Sequence, residues 1–181
     1  MLLPTPDAEL GWQAADFTLK DPDGLSYTMS EEMGENGLLI AFICNHCPYV
    51  KAVVDRLSAD AKVLQSEGIG VLAVMPNDYG AYPTDAPPLM KKFAEAHDFS
   101  FPYVVDEDQS VAKAYGAVCT PDFFGLNRDG VLQFRGRLDD ARMSDATDRT
   151  PELVNAMRQI AKTGVGPEGQ IPSMGCSIKW R

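Results

Sequence analysis

Gly37-Leu38-Leu39-Ile40-Ala41-Phe42-Ile43, followed at once by Cys44-Asn45-His46-Cys47-Pro48, is the stretch that decides the fold. The apolar run is too short for a helix of its own and fits a strand buried on both faces. After the cysteines, Val50, Val53, Val54, Leu57, Ala61 and Leu64 recur at spacings of three and four. That spacing puts one apolar stripe on a helix over roughly 46–67, which Gly68 ends. Ile69 to Met75 is a second buried-strand run, and a strand–helix–strand unit implies parallel pairing through a right-handed crossover.

Toward the N-terminus, Phe17-Thr18-Leu19 and Leu25-Ser26-Tyr27-Thr28 flank Asp21-Pro22-Asp23-Gly24, whose Pro and Gly suit a tight turn, so a small hairpin is expected. Residues 1–15 read as an arm or edge segment. Toward the C-terminus, 76–88 carries prolines at 76, 83, 87 and 88 and reads as an inserted loop with scope for function. Leu89 to His97 reads as a helix with Met90, Phe93, Ala94 and His97 on one face. A short strand at 103–105 and a short helix at 111–115 follow. Residues 122–127 and 131–137, joined by Arg128-Asp129-Gly130, form an antiparallel hairpin. Thr150 and Pro151 begin a last helix whose apolar face is Leu153, Val154, Met157, Ile160 and Ala161, closed by Gly164. The tail 165–181 reads as irregular. The whole, 1–181, is expected to be one α/β domain: a central mixed sheet of four or five strands flanked by helices, an N-terminal hairpin extension and an insertion around 76–100.

Composition narrows the function. The chain has 181 residues, 45% of them hydrophobic, which is enough for a real core. A formal net charge of −10 disfavours nucleic acid and anionic membranes as partners. No stretch is long and apolar enough to cross a bilayer and the first residues lack a basic segment, so a cytoplasmic location is expected. Four cysteines are too few for a disulfide scaffold. In a reducing compartment a C-x-x-C pair reads as redox-active or metal-binding.

A thiol does nucleophilic work as thiolate, so its pKa must fall from about 8.5. Pro48 is tolerated only in the first turn of a helix, which places Cys44 at the helix mouth, where free N–H groups and the helix dipole favour negative charge, with Cys47 about one turn on. His46, if protonated, would add to this; a solvated imidazole without effect on sulfur is the other reading. Stabilising the thiolate makes the disulfide more oxidising, so the pair is expected above the roughly −270 mV of thioredoxin.

Strand 38–43, Cys44-Asn45-His46-Cys47-Pro48 opening a helix, and Thr120-Pro121 before a hairpin resemble the thioredoxin fold. Phe17-Thr18-Leu19 with Asp23-Gly24, Met75-Pro76-Asn77-Asp78 and Cys119-Thr120-Pro121-Asp122-Phe123-Phe124 resemble its redoxin branch, the peroxiredoxin-like AhpC/TSA and TlpA-like proteins, over about residues 12–162. The resemblance implies that Cys44 attacks and Cys47 resolves, and that Pro121 is a cis proline opposite the pair, exposing the Thr120 backbone to a polypeptide or thiol substrate. A cis X–Pro bond is accessible at about 0.5–1 kcal/mol. Against the peroxiredoxin pattern, Cys47-Pro48 matches the peroxidatic Cys-Pro, while Cys44 stands in place of the peroxide-orienting Thr and Ile40 in place of Pro. Arg128, Arg135, Arg137 and Arg142 are candidates for the arginine that assists that chemistry.

Cys119, two residues before Pro121, is either a third redox thiol or a small buried residue. Cys176, after the flexible Gly175, is a resolving or docking thiol or an ordinary one. Asp139, Asp140 and Arg142 read as a solvated loop. The leading expectation is a thiol–disulfide oxidoreductase served by a protein or small-thiol electron donor. A thiol peroxidase with Cys47 peroxidatic is the nearest alternative. A Sco-like copper or zinc protein would use Cys44, Cys47 and His46, His97 or Cys119, although Sco-like pairs have three intervening residues. A binding module without turnover is the remaining reading. No organic cofactor is implied, because neither G-x-G-x-x-G nor a P-loop occurs. Oligomeric state, substrate and donor are left open.

Overall fold

The computed structural model describes residues 1–181 and places two sheets and five helices around two apolar layers. The chain opens with β1 (Leu2–Pro4), then the hairpin β2 (Thr18–Lys20) and β3 (Ser26–Thr28), and the single turn α1 (Met29–Glu32). The central unit is β4 (Leu38–Phe42), α2 (Pro48–Ser66) and β5 (Gly70–Met75). A 3-10 turn (Pro83–Asp85) and α3 (Pro87–Ala96) occupy the insertion, and β6 (Tyr103–Val105) returns to the sheet. There follow α4 (Ser110–Tyr115), β7 (Cys119–Thr120), the hairpin β8 (Asp122–Leu126) and β9 (Leu132–Gly136), α5 (Glu152–Thr163) and β10 (Met174–Ser177).

The main sheet has the order β3-β2-β6-β5-β4-β8-β9. β4 pairs in parallel with β5, and β5 with β6; β8 runs antiparallel to β4. Every residue of β4 is buried because helices cover both of its faces. Leu39 and Ala41 face the layer formed with Val50, Val54 and Leu57 of α2 and Met157 and Ile160 of α5. Leu38, Ile40 and Phe42 face Val111, Ala112 and Tyr115 of α4. Strand periodicity of two splits one apolar run between two cores.

Two expectations are corrected. The sheet has seven strands, not four or five, because the N-terminal hairpin joins its edge through the single pair Lys20↔Val105. Three-residue strands with one such contact carry almost no periodic signal. The tail is not irregular throughout: β10 sits between β1 and β7 in a second antiparallel sheet, with Cys176 facing Leu2 on one side and Thr120 on the other. Met174-Gly175-Cys176-Ser177 lacks alternation and β-branched residues, so its extended form comes from partners over fifty residues away in sequence. No helix is long and apolar enough to cross a membrane.

Candidate functional site

β4 ends at Phe42, and Ile43 to His46 carry the chain to Cys47, the N-cap of α2, with Pro48 at its first position. The helix starts at Pro48, at the late end of the expected range, and the residue at its mouth is Cys47, three positions beyond Cys44. Both side chains are fully buried. Opposite them the Thr120–Pro121 peptide is cis. The Cys44 Sγ lies 3.2 Å from Thr120 Oγ1, and the Cys47 thiol donates to the Thr120 carbonyl at 3.2 Å. Both cysteines are free thiols, and both sulfurs meet at Thr120.

Hydrogen bonding within the pair favours negative charge on Cys47. The Cys44 thiol donates to the Cys47 sulfur, which holds Cys47 down at about 4 despite its burial. The Cys176 thiol and the N–H groups of Val50 and Cys176 add to the effect. These are the donors that a helix mouth and a neighbouring strand supply. Cys44 is pushed up, first by that same hydrogen bond, then by burial and by the charge of Asp85. Stabilisation that the sequence assigns to Cys44 thus falls on Cys47.

Asp85 is the functional residue that sequence reading missed. It is fully buried in the 3-10 turn of the insertion. Its carboxylate accepts the Asn45 backbone N–H at 2.8 Å and the Asn77 amide at 2.9 Å, and meets His46 Nδ1 at 2.6 Å. Asn45 in turn donates to the Thr84 carbonyl and accepts from the Tyr103 hydroxyl at 3.0 Å. The insertion therefore clamps the loop between the two cysteines. The only signal was Pro83, Pro87 and Pro88 stiffening the backbone around one acidic residue. His46 is engaged with Asp85 and stacks on Tyr82, and one of its ring nitrogens lies within 4.8 Å of the Cys44 sulfur.

Cys176 is the one partly exposed cysteine; burial and the neighbouring Cys47 push it up to about 11. Cys119 is buried, reaches only the Pro121 carbonyl at 3.9 Å, and is pushed up to about 12 by burial and Asp122. Thr120 is not open to a substrate strand, because β10 pairs with it. Of the arginines, Arg135 is forked onto buried Asp122 and Arg137 onto Glu152. Arg142 lines a narrow cleft of about 50 Å³ beside Pro121, with Tyr49, Met143 and Met174. Arg128 is exposed. Asp139 is no solvated loop residue: it is buried and binds Arg56 at 2.7 Å and Arg149 at 3.3 Å.

Three potential metal ligands, Cys44, His46 and Asp85, lie within 4.8 Å of one another. This set differs from the expected one, since Asp85 replaces Cys47. His97 stands apart, bonded to Asp55 at 2.7 Å at the end of α3. Both Asp85 oxygens already hold protein donors, which argues for a positioning carboxylate.

Comparison with known proteins agrees with this geometry. The family model described as AhpC/TSA matches residues 10–135. A crystal structure from Geobacillus kaustophilus superposes with a TM-score of 0.93 at 40% identity, covering all of this chain and 97% of that one. Thiol-disulfide oxidoreductase ResA of Geobacillus thermodenitrificans is 27% identical over 125 residues, 68% of this chain and 67% of its own. Peroxiredoxin Bcp of Escherichia coli is 25% identical over 126 residues, 70% of this chain and 76% of its own. This chain belongs to the AhpC/TSA family.

Proposed function

We propose that the chain is a thiol–disulfide oxidoreductase that carries two electrons on Cys44 and Cys47. The observation that supports this most is the convergence of the two sulfurs on Thr120, each 3.2 Å from one of its oxygens, at the cis Thr120–Pro121 peptide, with negative charge favoured on one of them. Of the two thiols Cys47 is the one on which negative charge is favoured, and its ionisation gives up the hydrogen bond to the Thr120 carbonyl. Cys47 forms the intermediate disulfide, and Cys44 then attacks the Cys47 sulfur, loses its proton to the departing thiolate and closes the Cys44–Cys47 bond. Charge placement thus favours Cys47 as the first nucleophile and Cys44 as the resolving thiol, the opposite of the order that the resemblance implies. Substrates are protein or small-molecule disulfides, reduction of the pair falls to a thiol donor, and a reducing compartment such as the cytoplasm suits the free thiols. The similarity to ResA supports this class.

Peroxide reduction at Cys47 is the second reading, favoured by its position as N-cap before Pro48 and by the similarity to Bcp. Against it, Arg135 and Arg137 are already bound to carboxylates. Dithiothreitol-driven insulin reduction and hydrogen peroxide consumption, measured in parallel, separate the two. The proposal expects insulin reduction that is lost in Cys44→Ser and in Cys47→Ser. A sulfenic acid trapped at Cys47 in Cys44→Ser, with fast peroxide turnover, would establish the peroxidase instead. Activity in neither assay would leave a binding module.

A further inference from the structure

Neither sulfur of the pair is exposed to solvent, yet a disulfide-exchange protein has to meet a partner sulfur in line. The third thiol lies where that partner would be. Cys176 is partly exposed, packs against the apolar layer containing Cys44 and Cys47, and neighbours Cys47 across from Thr120, the residue that both pair sulfurs touch. It is held there by register: β10 pairs with β7 so that Cys176 faces Thr120, the residue before the cis proline. The chain's own tail thus occupies the edge at which an incoming polypeptide strand would present a cysteine.

Gly175 makes this approach feasible. A β-carbon there would lie 1.9 Å from the Thr120 carbonyl oxygen, so only glycine lets the strand pack so closely. Beyond Cys176 the tail is tied down by Ser177 N–H to the Met1 carbonyl, Ile178 N–H to the Val118 carbonyl and Lys179 N–H to Asn77 Oδ1, and Asn77 also binds Asp85. The tail and the clamp around the cysteine loop are one hydrogen-bonded assembly.

We infer that Cys176 is the gateway thiol of a three-sulfur relay, passing disulfide exchange between solvent and the buried pair in the order Cys176, Cys47, Cys44. This rests on the oxidoreductase reading and names the route by which that site is reached. Cys176 attacks an external disulfide RSSR and its proton goes to the departing sulfur, giving Cys176–S–S–R and RSH. The Cys47 thiolate attacks the Cys176 sulfur, releasing the second RS group as RS⁻ and leaving a Cys47–Cys176 disulfide. Cys44 attacks Cys47, and its proton goes to the departing Cys176 sulfur. One external disulfide is reduced to two thiols, the Cys44–Cys47 disulfide forms, and Cys176 returns to its starting state.

The test is trapping. Reduced Cys44→Ser, treated with oxidised glutathione and mapped by mass spectrometry after acid quench, is expected to accumulate a Cys47–Cys176 disulfide. Cys47→Ser is expected to hold glutathione on Cys176. In Cys176→Ser, and in Cys176→Ala as a second variant, the Cys44–Cys47 disulfide is expected to reach the wild-type end point at least an order of magnitude more slowly. Glutathione stably attached to Cys47 beside a free Cys176, or wild-type oxidation rates in both Cys176 variants, would overturn the relay while leaving the pair intact. A wild-type protein that never forms the Cys44–Cys47 disulfide would overturn the oxidoreductase reading itself.

Discussion

Gly175 rests its α-carbon against the carbonyl of Thr120, closely enough that no side chain fits between β10 and β7. Gly175→Ala should therefore lift β10 from β7 and draw Cys176 away from Cys47. The Cys47 sulfur then loses two donors, and its pKa should rise from about 4. Amide exchange in β1 and β10 should accelerate, while that in β4 and β5 should not. Thiolate absorbance against pH and exchange mass spectrometry measure both; an unchanged titration and unchanged exchange would mean the ladder is absent in solution.

Cys44 is the main reason that Cys47 ionises. Cys44→Ala should raise the Cys47 pKa, and Cys44→Ser, which keeps a donor, should raise it less. A group whose folded pKa is depressed stabilises the fold above its unfolded pKa, and that contribution is lost as pH falls through the folded value. For Cys47 the window runs from about 9 in the unfolded chain to about 4 in the folded one. Under reducing conditions the stability advantage of wild type over Cys47→Ala should shrink steadily across that window on acidification, as read by urea unfolding. An advantage that does not vary with pH would contradict the assignment.

The charge of Asp85 acts on Cys44. Asp85→Asn keeps a carbonyl oxygen for the Asn45 N–H and removes the charge. In a Cys47→Ser background, where only Cys44 of the pair titrates, adding Asp85→Asn should lower the Cys44 pKa. Alkylation rate against pH would show it, and a profile that does not move would make Asp85 a purely structural clamp.

Arg135 holds Asp122 beneath the hairpin with two hydrogen bonds and stacks on Phe124. Burial pushes Asp122 up to about 6 even with its partner present. Arg135→Leu strands that carboxylate and should cost about 3–5 kcal/mol. Since a raised carboxyl pKa destabilises the fold once pH exceeds the unfolded value of about 4, the loss should be larger at pH 8 than at pH 5. Urea unfolding at the two values checks the sign.

Much of the frame was legible because its signals are local. The run 37–43 has no polar residue to expose, the stripe from Val50 to Leu64 has one helical period, and Pro48 limits where that helix can begin. What escaped depends on distant partners. β10 is a strand only because Thr120 and Leu2 flank it, and Gly175, which looked like a flexible joint, is a point of close packing. Asp85 and Asp139 read as loop acids, yet each is buried among donors from other segments. The pair was legible from its spacing and from Pro48, while the distribution of charge between its two sulfurs depends on neighbours from other segments, Thr120, Asp85 and Cys176, that spacing does not reveal.

Equilibrating the protein in dithiothreitol redox buffers of graded poise, with the disulfides mapped at each step, addresses the central claim directly. The account predicts one two-electron transition that joins Cys44 to Cys47, with a potential above about −270 mV because the reduced pair carries a stabilised thiolate. Cys44 and Cys47 remaining thiols at every poise, or a midpoint at or below that value, would contradict it.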